Sequence, residues 1–162
     1  GFVDPAPGLQ GVGILSELFE RRTRAVVVLD EVEKAHPALL QRHRYWSAQF
    51  EWVHHVPSAR RAGISEDIIT SISYAKIPKF SDPLMQAVFD YCAELHRDKE
   101  VTDKTYENAV AQISSTGVID LTAICGYYTF ISMTIKAFRV YDISDINLPD
   151  ISLSPDQFFL ED

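Results

Sequence analysis

The stretch that decides the fold is residues 49–65, QFEWVHHVPSARRAGIS. It belongs to a helical pattern that begins at Ala38, and Pro57 predicts a kink because proline lacks a backbone N–H and crowds the preceding turn. Gly63 is placed to end this helix, and Ser65 is placed to cap the next one. We therefore expect one long, kinked helix followed closely by a second helix.

The chain beyond this stretch repeats the combination of a capping residue and apolar residues spaced by three and four. Ser81 and Thr102 are the predicted caps of two further helices. Gly117 predicts the end of the second of these helices. Residues 118–140 are apolar nearly all round, which predicts the central and most buried helix. The fold class is therefore predicted to be all-α, a compact helical array.

Both ends of the chain lack this pattern. Prolines and glycines in residues 1–13 and a β-branched run at 25–29 predict an irregular or partly strand-like N-terminal segment. Prolines, aspartates and serines near the C-terminus predict an extended arm. The predicted organisation is an N-terminal arm (1–41), a helical domain (42–141) and an acidic C-terminal arm (142–162).

The composition indicates a globular protein that does not bind nucleic acid. The 162 residues are 46% hydrophobic and 23% charged, which is typical of one folded domain. The net charge is -8, and residues 142–162 contain six acidic side chains and no basic ones. The short basic clusters, such as Arg42–His43–Arg44, are diluted by neighbouring acids, whereas nucleic-acid binding requires a basic stripe.

The two cysteines and the lengths of the apolar runs predict the compartment. Cys92 and Cys125 are far apart in the sequence and lie among apolar neighbours, which favours buried thiols in a reducing compartment. The apolar runs fall short of a membrane span, and the N-terminus lacks the layout of a signal peptide. We therefore expect a cytoplasmic protein with no membrane partner.

One pair of residues has the spacing needed for acid–base chemistry. Glu51 and His55 are four residues apart, so their side chains share a helix face and can touch. A carboxylate raises the pKa of a neighbouring imidazole and fixes its tautomer, which leaves the other ring nitrogen to move protons near neutral pH. The same spacing is common in helix-surface pairs, and spacing alone does not decide between them. Because adjacent histidines such as His54 and His55 diverge, no metal site is predicted.

Residues 49–65 resemble the carboxymuconolactone decarboxylase family, which includes the alkylhydroperoxidase-like proteins. The resemblance covers residues 42–140 and includes four further matches, at FSD (80–82), AEL (93–95), VTD (101–103) and GYY (126–128). It implies a helical fold of the alkylhydroperoxidase-like type. It also implies a homo-oligomer, a trimer or hexamer, with the active site close to a subunit interface.

The resemblance separates the two chemistries of that family. Its peroxidase branch uses Cys-x-x-Cys followed by a histidine, but Ala48 and Glu51 occupy those cysteine positions here, while His55 matches the histidine. Peroxide reduction at these positions is therefore not expected. The decarboxylase branch matches at Glu51 and His55. It implies removal of a carboxylate from an unsaturated lactone, with His55 protonating the resulting carbon and Glu51 orienting it.

The same resemblance predicts the substrate and its contacts. A small carboxylated molecule of aromatic-compound catabolism is expected, with no cofactor. The candidate substrate-binding residues are Trp52, His54, Arg60 and Tyr127, of which Arg60 would attract the carboxylate. His36 stands where family members usually carry a glutamate, so activity is predicted to be altered or lost if that carboxylate supports the site.

A second resemblance covers residues 11–41, which are similar to the Walker B segment of Clp-type AAA-plus disaggregases. It implies that Asp30 holds magnesium and that Glu31 positions the attacking water. The chain has no Gly-x-x-x-x-Gly-Lys-Ser/Thr motif, so ATP hydrolysis is not expected. A lone strand also lacks parallel partners, which leaves a helical form of residues 25–41 open.

These observations leave several functions, of which a decarboxylase-like lyase leads. The alternatives are a catalytically inactive helical oligomerisation domain and an AAA-plus fragment. Residual alkylhydroperoxidase-like antioxidant activity would require Cys92 and Cys125 to be close in space, which the sequence does not decide.

Overall fold

Five helices form most of the described part of the chain. The structure, a computed structural model, describes residues 32–140, 145–154 and 157–159. The helices are α1 (Val32–Tyr45), α2 (Gln49–Arg61), α3 (Glu66–Ser73), α4 (Pro83–Arg97) and α5 (Asp103–Ala137). These residues contain no strand, so the predicted all-α fold is confirmed. The strand-like run at 25–29 lies outside the described residues.

The described residues after Val32 belong to one compact unit, Glu33–Asp162. Helix α1 runs without a break through position 42, where the sequence predicted the helical domain to begin. The division of the chain into a domain and two arms stays a prediction.

A turn at Ser47 divides the predicted long helix in two. Ser47 has a left-handed backbone, with φ 47°. Its N–H donates to the carbonyl of Arg44 (N···O 3.0 Å), and the N–H of Ala48 donates to the carbonyl of His43 (2.8 Å). These are the paired bonds of a Schellman helix end. The prediction of one helix was wrong here because that left-handed position usually holds glycine, and the break falls before Pro57, which lies inside α2.

The helix ends farther along the chain follow the predictions more closely. Gly63, with φ 82°, closes α2. Ser65 and Thr102 cap α3 and α5, each accepting a hydrogen bond at 3.4 Å from the backbone N–H three residues on. Asp82 rather than Ser81 caps α4, accepting from the N–H two residues on at 2.9 Å. A carboxylate at this position also interacts favourably with the positive end of the helix dipole.

Helix α5 is longer than predicted and changes direction at Ser114. That residue has non-helical angles, φ 67° and ψ 168°, whereas the sequence predicted the break at Gly117. A Cβ at Gly117 would lie 3.0 Å from the Cβ of Ile113. The glycine therefore permits a close approach within the helix rather than ending it.

The C-terminal part of α5 is not the most buried helix, which corrects the prediction for residues 118–140. Ile119 is 69% exposed, Phe130 is 53% exposed and Met133 is 51% exposed. The exposed small and apolar positions Ile119, Ala123, Gly126, Phe130 and Met133 alternate in spacing between four and three residues, and we call them the outer stripe. The all-round apolar pattern therefore reflects two faces, one packed inward and one left at the surface.

Among the described residues, α5 is also long and apolar enough to cross a membrane. Length and composition alone do not distinguish such a segment from a core helix of a soluble protein. The prediction of no membrane partner stays a prediction.

Two apolar clusters share α1 and α4. The first joins Leu40 of α1, Trp52 and Val56 of α2, Ile72 of α3, Phe89 of α4, and Phe158 and Phe159 of the C-terminal arm. The second joins Ala38 of α1, Val88 and Cys92 of α4, and Leu121 and Cys125 of α5. Because α1 contributes to both clusters, the polar residues near its end are enclosed between them.

The described part of the C-terminal arm packs against the helices. The Arg44 guanidinium donates to the carbonyl of Pro149 (2.9 Å), and the side-chain oxygen of Gln49 accepts from the N–H of Leu148 (2.9 Å). Phe158 is 3% exposed and adds an aromatic ring to the first cluster. The arm therefore covers part of the core of its own chain.

Candidate active site

Four consecutive polar residues of α1 are buried, and we call them the polar row. Gln41, Arg42, His43 and Arg44 are 1%, 1%, 0% and 3% exposed. Buried polar groups destabilise a fold unless they find partners, so the contacts of this row mark specific interactions. The sequence suggested a basic cluster diluted by acids, but the structure places it in the interior.

Glu51 lies at the junction of α1, α2 and α5 and is 1% exposed. Ser132 of α5 donates a hydrogen bond from its Oγ to Glu51 Oε2. The Nδ1 atom of His43 lies 3.4 Å from the same oxygen, without the alignment of a hydrogen bond. Glu51 Oε1 has no hydrogen-bond partner among the described residues. Three helices therefore meet at one incompletely satisfied carboxyl group.

His55 joins this group through aromatic contacts. It is 5% exposed, and its ring centroid lies 4.7 Å from that of His43 at an interplanar angle of 43°. Tyr128 of α5 meets both imidazoles edge-on, at 5.6 Å from His43 and 5.4 Å from His55. We call Glu51, His43, His55, Tyr128 and Ser132 the acid–base cluster. The two predicted catalytic residues thus share one cluster, and His43 contacts both.

The chemistry available to this cluster is proton transfer. It contains a carboxyl group, two imidazoles and a phenol, each of which can hold or pass a proton. Both nitrogens of His43 lack a hydrogen-bond partner within the described part of the chain. Most buried polar atoms in folded proteins are paired, and an unpaired one calls for an explanation such as a catalytic role or an ordered water. Unpaired atoms of Gln41, Arg44 and Trp46 lie outside the cluster, so its distinguishing feature is the set of proton-transferring groups that it brings together.

The predicted substrate-binding residues occupy different surroundings. Tyr127 is half-buried and contacts the acid–base cluster, with its ring 5.4 Å from that of Tyr128. Trp52 is 2% exposed within the first apolar cluster, and His54 is exposed. Arg60 is exposed and donates two hydrogen bonds to Glu66, at 2.6 Å and 3.0 Å. Their roles toward a substrate stay predictions.

His43, Tyr128 and Ser132 were not predicted from the sequence. His43 was treated as part of a basic cluster, and its contact with α2 depends on the turn at Ser47. Tyr128 lies in the Gly-Tyr-Tyr match, where only Tyr127 was selected. Since Ser132 is distant in sequence, no local pattern connects it with Glu51.

A second polar cluster surrounds the guanidinium of Arg42. Its Nη1 donates to the backbone oxygen of Cys125 and to Thr129 Oγ1, and its Nη2 lies 3.2 Å from His96 Nδ1. The Sγ atoms of Cys92 and Cys125 lie 3.0 Å apart, and both are free thiols. The closeness of the two cysteines, which the sequence did not decide, is therefore a feature of the fold. We call these five residues the thiol cluster.

The thiol cluster shifts the ionisation of its members. The hydrogen bond with Cys92 lowers the pKa of the Cys125 thiol, and the positive charge of Arg42 acts in the same direction. That hydrogen bond, together with burial, raises the pKa of Cys92. Burial, and then the charge of Arg42, lowers the pKa of His96 to about 3. The His96 ring is therefore neutral at pH 7, and its Nδ1–H donates to the carbonyl of Cys92 at 2.6 Å.

Two cavities in the described part of the chain lie elsewhere. One of about 480 Å³ is lined by residues that include Phe89, Glu94, Arg97 and Lys104. One of about 340 Å³ lies between the arm and the helices, beside Arg44. No member of the acid–base cluster lines either cavity.

Comparison of the chain with protein-family models, curated proteins and solved structures gives no match. Among the described residues, no group of three or more His, Cys, Asp or Glu side chains could hold a metal ion. Asp30 and Glu31, with the remainder of the disaggregase-like segment before Val32, lie outside the described residues. The acid–base cluster and the thiol cluster are therefore the two candidate functional features of the described residues.

The lowered pKa of His96 predicts a stability loss in mild acid. The unfolded chain protonates His96 near its ordinary pKa of 6.5, whereas the folded protein does so only near pH 3. Stability therefore rises with pH between these values. From pH 7 to pH 5 the native protein should lose about 2 kcal/mol more of its unfolding free energy than His96→Asn does. Urea denaturation at the two pH values measures this, and equal losses would contradict the assignment.

Proposed function

We propose that this chain is a carboxymuconolactone decarboxylase-like lyase that removes the carboxylate of a small carboxylated lactone or a related metabolite of aromatic-compound catabolism. The observation that supports the proposal is the acid–base cluster, in which His43 contacts both Glu51 and His55. No cofactor is part of the proposal, and the cytoplasm is the proposed location.

The proposed reaction requires one proton donor next to the substrate. When the carboxylate leaves as carbon dioxide, the electrons of the broken C–C bond stay on the substrate carbon. The protonated ring of His55 gives a proton to that carbon and becomes neutral, and it regains a proton from solvent through the 5% of the residue that stays exposed. Positioned acids of this kind typically accelerate a reaction by about 10²–10⁴-fold.

The remaining members of the cluster would prepare His55 for this step. Ser132 holds one oxygen of Glu51, which limits the orientations of the carboxyl group. His43 contacts both Glu51 and His55. A positive charge on either buried imidazole would be destabilising without the nearby carboxylate of Glu51. Glu51 is therefore proposed as the positioning and charge-balancing residue, and His55 as the proton donor.

Burial of the cluster also suits decarboxylation. His43, Glu51 and His55 are 0%, 1% and 5% exposed, so little water reaches them. Exclusion of water weakens the solvation of a substrate carboxylate and strengthens each charge–dipole contact. The convergence of one carboxyl group, two imidazoles and a phenol favours this function over the alternative of an inactive helical oligomerisation domain.

The first prediction concerns turnover. Glu51→Gln and His55→Ala should each lower carbon dioxide release from a carboxymuconolactone-type substrate by about 10²-fold or more, because each removes part of the proton-transfer apparatus. Glu107→Gln, an exposed change of the same kind on α5, should leave the rate unchanged. The proposal is contradicted if both active-site variants release carbon dioxide as fast as the native protein does. It is also contradicted if the native protein releases none from any lactone tested.

We propose in addition that the chain forms a homo-oligomer, a trimer or hexamer, through the outer stripe of α5. The stripe is uncharged, and its alternating four- and three-residue spacing is that of helix pairs that pack side by side. Met133 of the stripe adjoins Ser132, which bonds Glu51 from the opposite face of the helix. A second copy seated there would therefore bring the subunit interface close to the acid–base cluster.

The second prediction concerns this assembly. Introducing charge with Phe130→Asp and Met133→Asp together should convert the native oligomer into a monomer, because each carboxylate would be desolvated at the interface. Thr70→Asp on α3 supplies the matched control and should keep the native state. Light scattering of the protein as it elutes from a size-exclusion column measures the molar mass. A monomeric native protein, or one that floats with lipid vesicles, would refute assembly through the stripe.

A further inference from the structure

The two cysteines are placed for direct reaction with each other. Cys92 of α4 and Cys125 of α5 are 0% and 4% exposed, and their Sγ atoms lie 3.0 Å apart. A disulfide bond is about 2.05 Å long, so bond formation requires an approach of roughly 1 Å. Packing of the two helices supplies this proximity, although the residues are far apart in sequence.

The guanidinium of Arg42 lacks a carboxylate partner among the described residues. It is 1% exposed, its hydrogen bonds go to a backbone carbonyl and to the Thr129 hydroxyl, and its Nη2 lies 3.2 Å from Nδ1 of the neutral His96 ring. A buried cation is strongly destabilising unless an anion compensates it. Arg42 donates to the backbone oxygen of Cys125, and its positive charge helps to lower the pKa of the Cys125 thiol. A Cys125 thiolate would therefore be the counter-ion that this buried arginine needs.

The two thiols also differ in acidity. The Arg42 guanidinium bonds the backbone of Cys125, and the hydrogen bond between the two thiols lowers the pKa of Cys125 and raises that of Cys92. Since the thiolate is the nucleophilic form, Cys125 is the attacking sulfur and Cys92 is the thiol held in reserve. His96, whose ring is neutral, leaves the charge of Arg42 available to the thiolate.

We propose that Cys125 and Cys92 form a redox site that hydrogen peroxide oxidises to an intramolecular disulfide joining α4 and α5. The Cys125 thiolate attacks one peroxide oxygen, so an S–O bond forms, the O–O bond breaks, and the leaving hydroxide takes up a proton to become water. The Cys92 sulfur then loses its proton and attacks the Cys125 sulfur. An S–S bond forms, the S–O bond breaks, and a second water leaves.

Hydrogen peroxide is the oxidant class that fits the burial of the site. The thiols are enclosed, so only a molecule close to water in size can reach them through small fluctuations of the helices. The site shares no residue with the acid–base cluster and is independent of the proposed lyase activity.

The experiment treats the reduced full chain with hydrogen peroxide, removes the excess with catalase, and counts free thiols after denaturation. Both thiols should disappear together, and the intact mass should fall by two hydrogen atoms. Peptide mapping should join Cys92 to Cys125, and dithiothreitol should restore both thiols. Persistence of the thiols, oxygen added to each sulfur without a disulfide, or bonds between chains would overturn the proposal.

Three variants test the assigned roles. Cys92→Ser should accumulate a sulfenic acid on Cys125 that dimedone traps, whereas Cys125→Ser should consume peroxide at least about 10-fold more slowly. Arg42→Met should slow oxidation at pH 7 by about 10-fold, because the thiolate loses its cation, and the exposed change Arg61→Met should not. If Arg42→Met does not fold, the two cysteine variants alone test the roles. Equal rates of peroxide consumption by Cys92→Ser and Cys125→Ser would show that Cys125 is not the nucleophile.

Discussion

Burial of the polar row on α1 is the constraint on which the remaining structure depends. Residues 41–44 are 3% exposed or less, and a charge or dipole without a partner is destabilising there. Arg42 contacts α4 and α5, His43 contacts α2 and α5, and Arg44 bonds the C-terminal arm. The side-chain atoms of Gln41 have no hydrogen-bond partner among the described residues. The row therefore touches three other helices and the arm.

The same constraint places the two candidate sites side by side. Adjacent residues of α1 take part in them, Arg42 in the thiol cluster and His43 in the acid–base cluster. Helix α5 serves both as well, with Cys125 and Thr129 toward the first and Tyr128 and Ser132 toward the second. Residues four apart share a helix face and adjacent residues do not, so the two clusters occupy neighbouring sectors of α5.

Local sequence patterns predicted most of the helices and part of the site. Caps at Ser65 and Thr102 and the stop at Gly63 depend on single residues and their near neighbours, which a sequence displays directly. The turn at Ser47 was not predictable in this way, because a serine in a left-handed conformation is stabilised by the surrounding fold. His43 and Ser132 were missed for the same reason, since only tertiary packing brings them to Glu51. The outer stripe was missed because periodicity shows which residues are apolar, not which face is covered.

The central claim is that the acid–base cluster exists for chemistry rather than for stability. The most direct test is the free energy of unfolding of the triple variant His43→Leu, Glu51→Met, Ser132→Ala, measured by chemical denaturation. Replacing a buried, incompletely paired polar group by apolar residues of similar volume is often neutral or stabilising. We expect the free energy of unfolding of the variant to lie within about 1 kcal/mol of that of the native protein, or above it, and turnover to be lost. A loss of more than about 3 kcal/mol would show that the cluster holds the fold together and would contradict the claim.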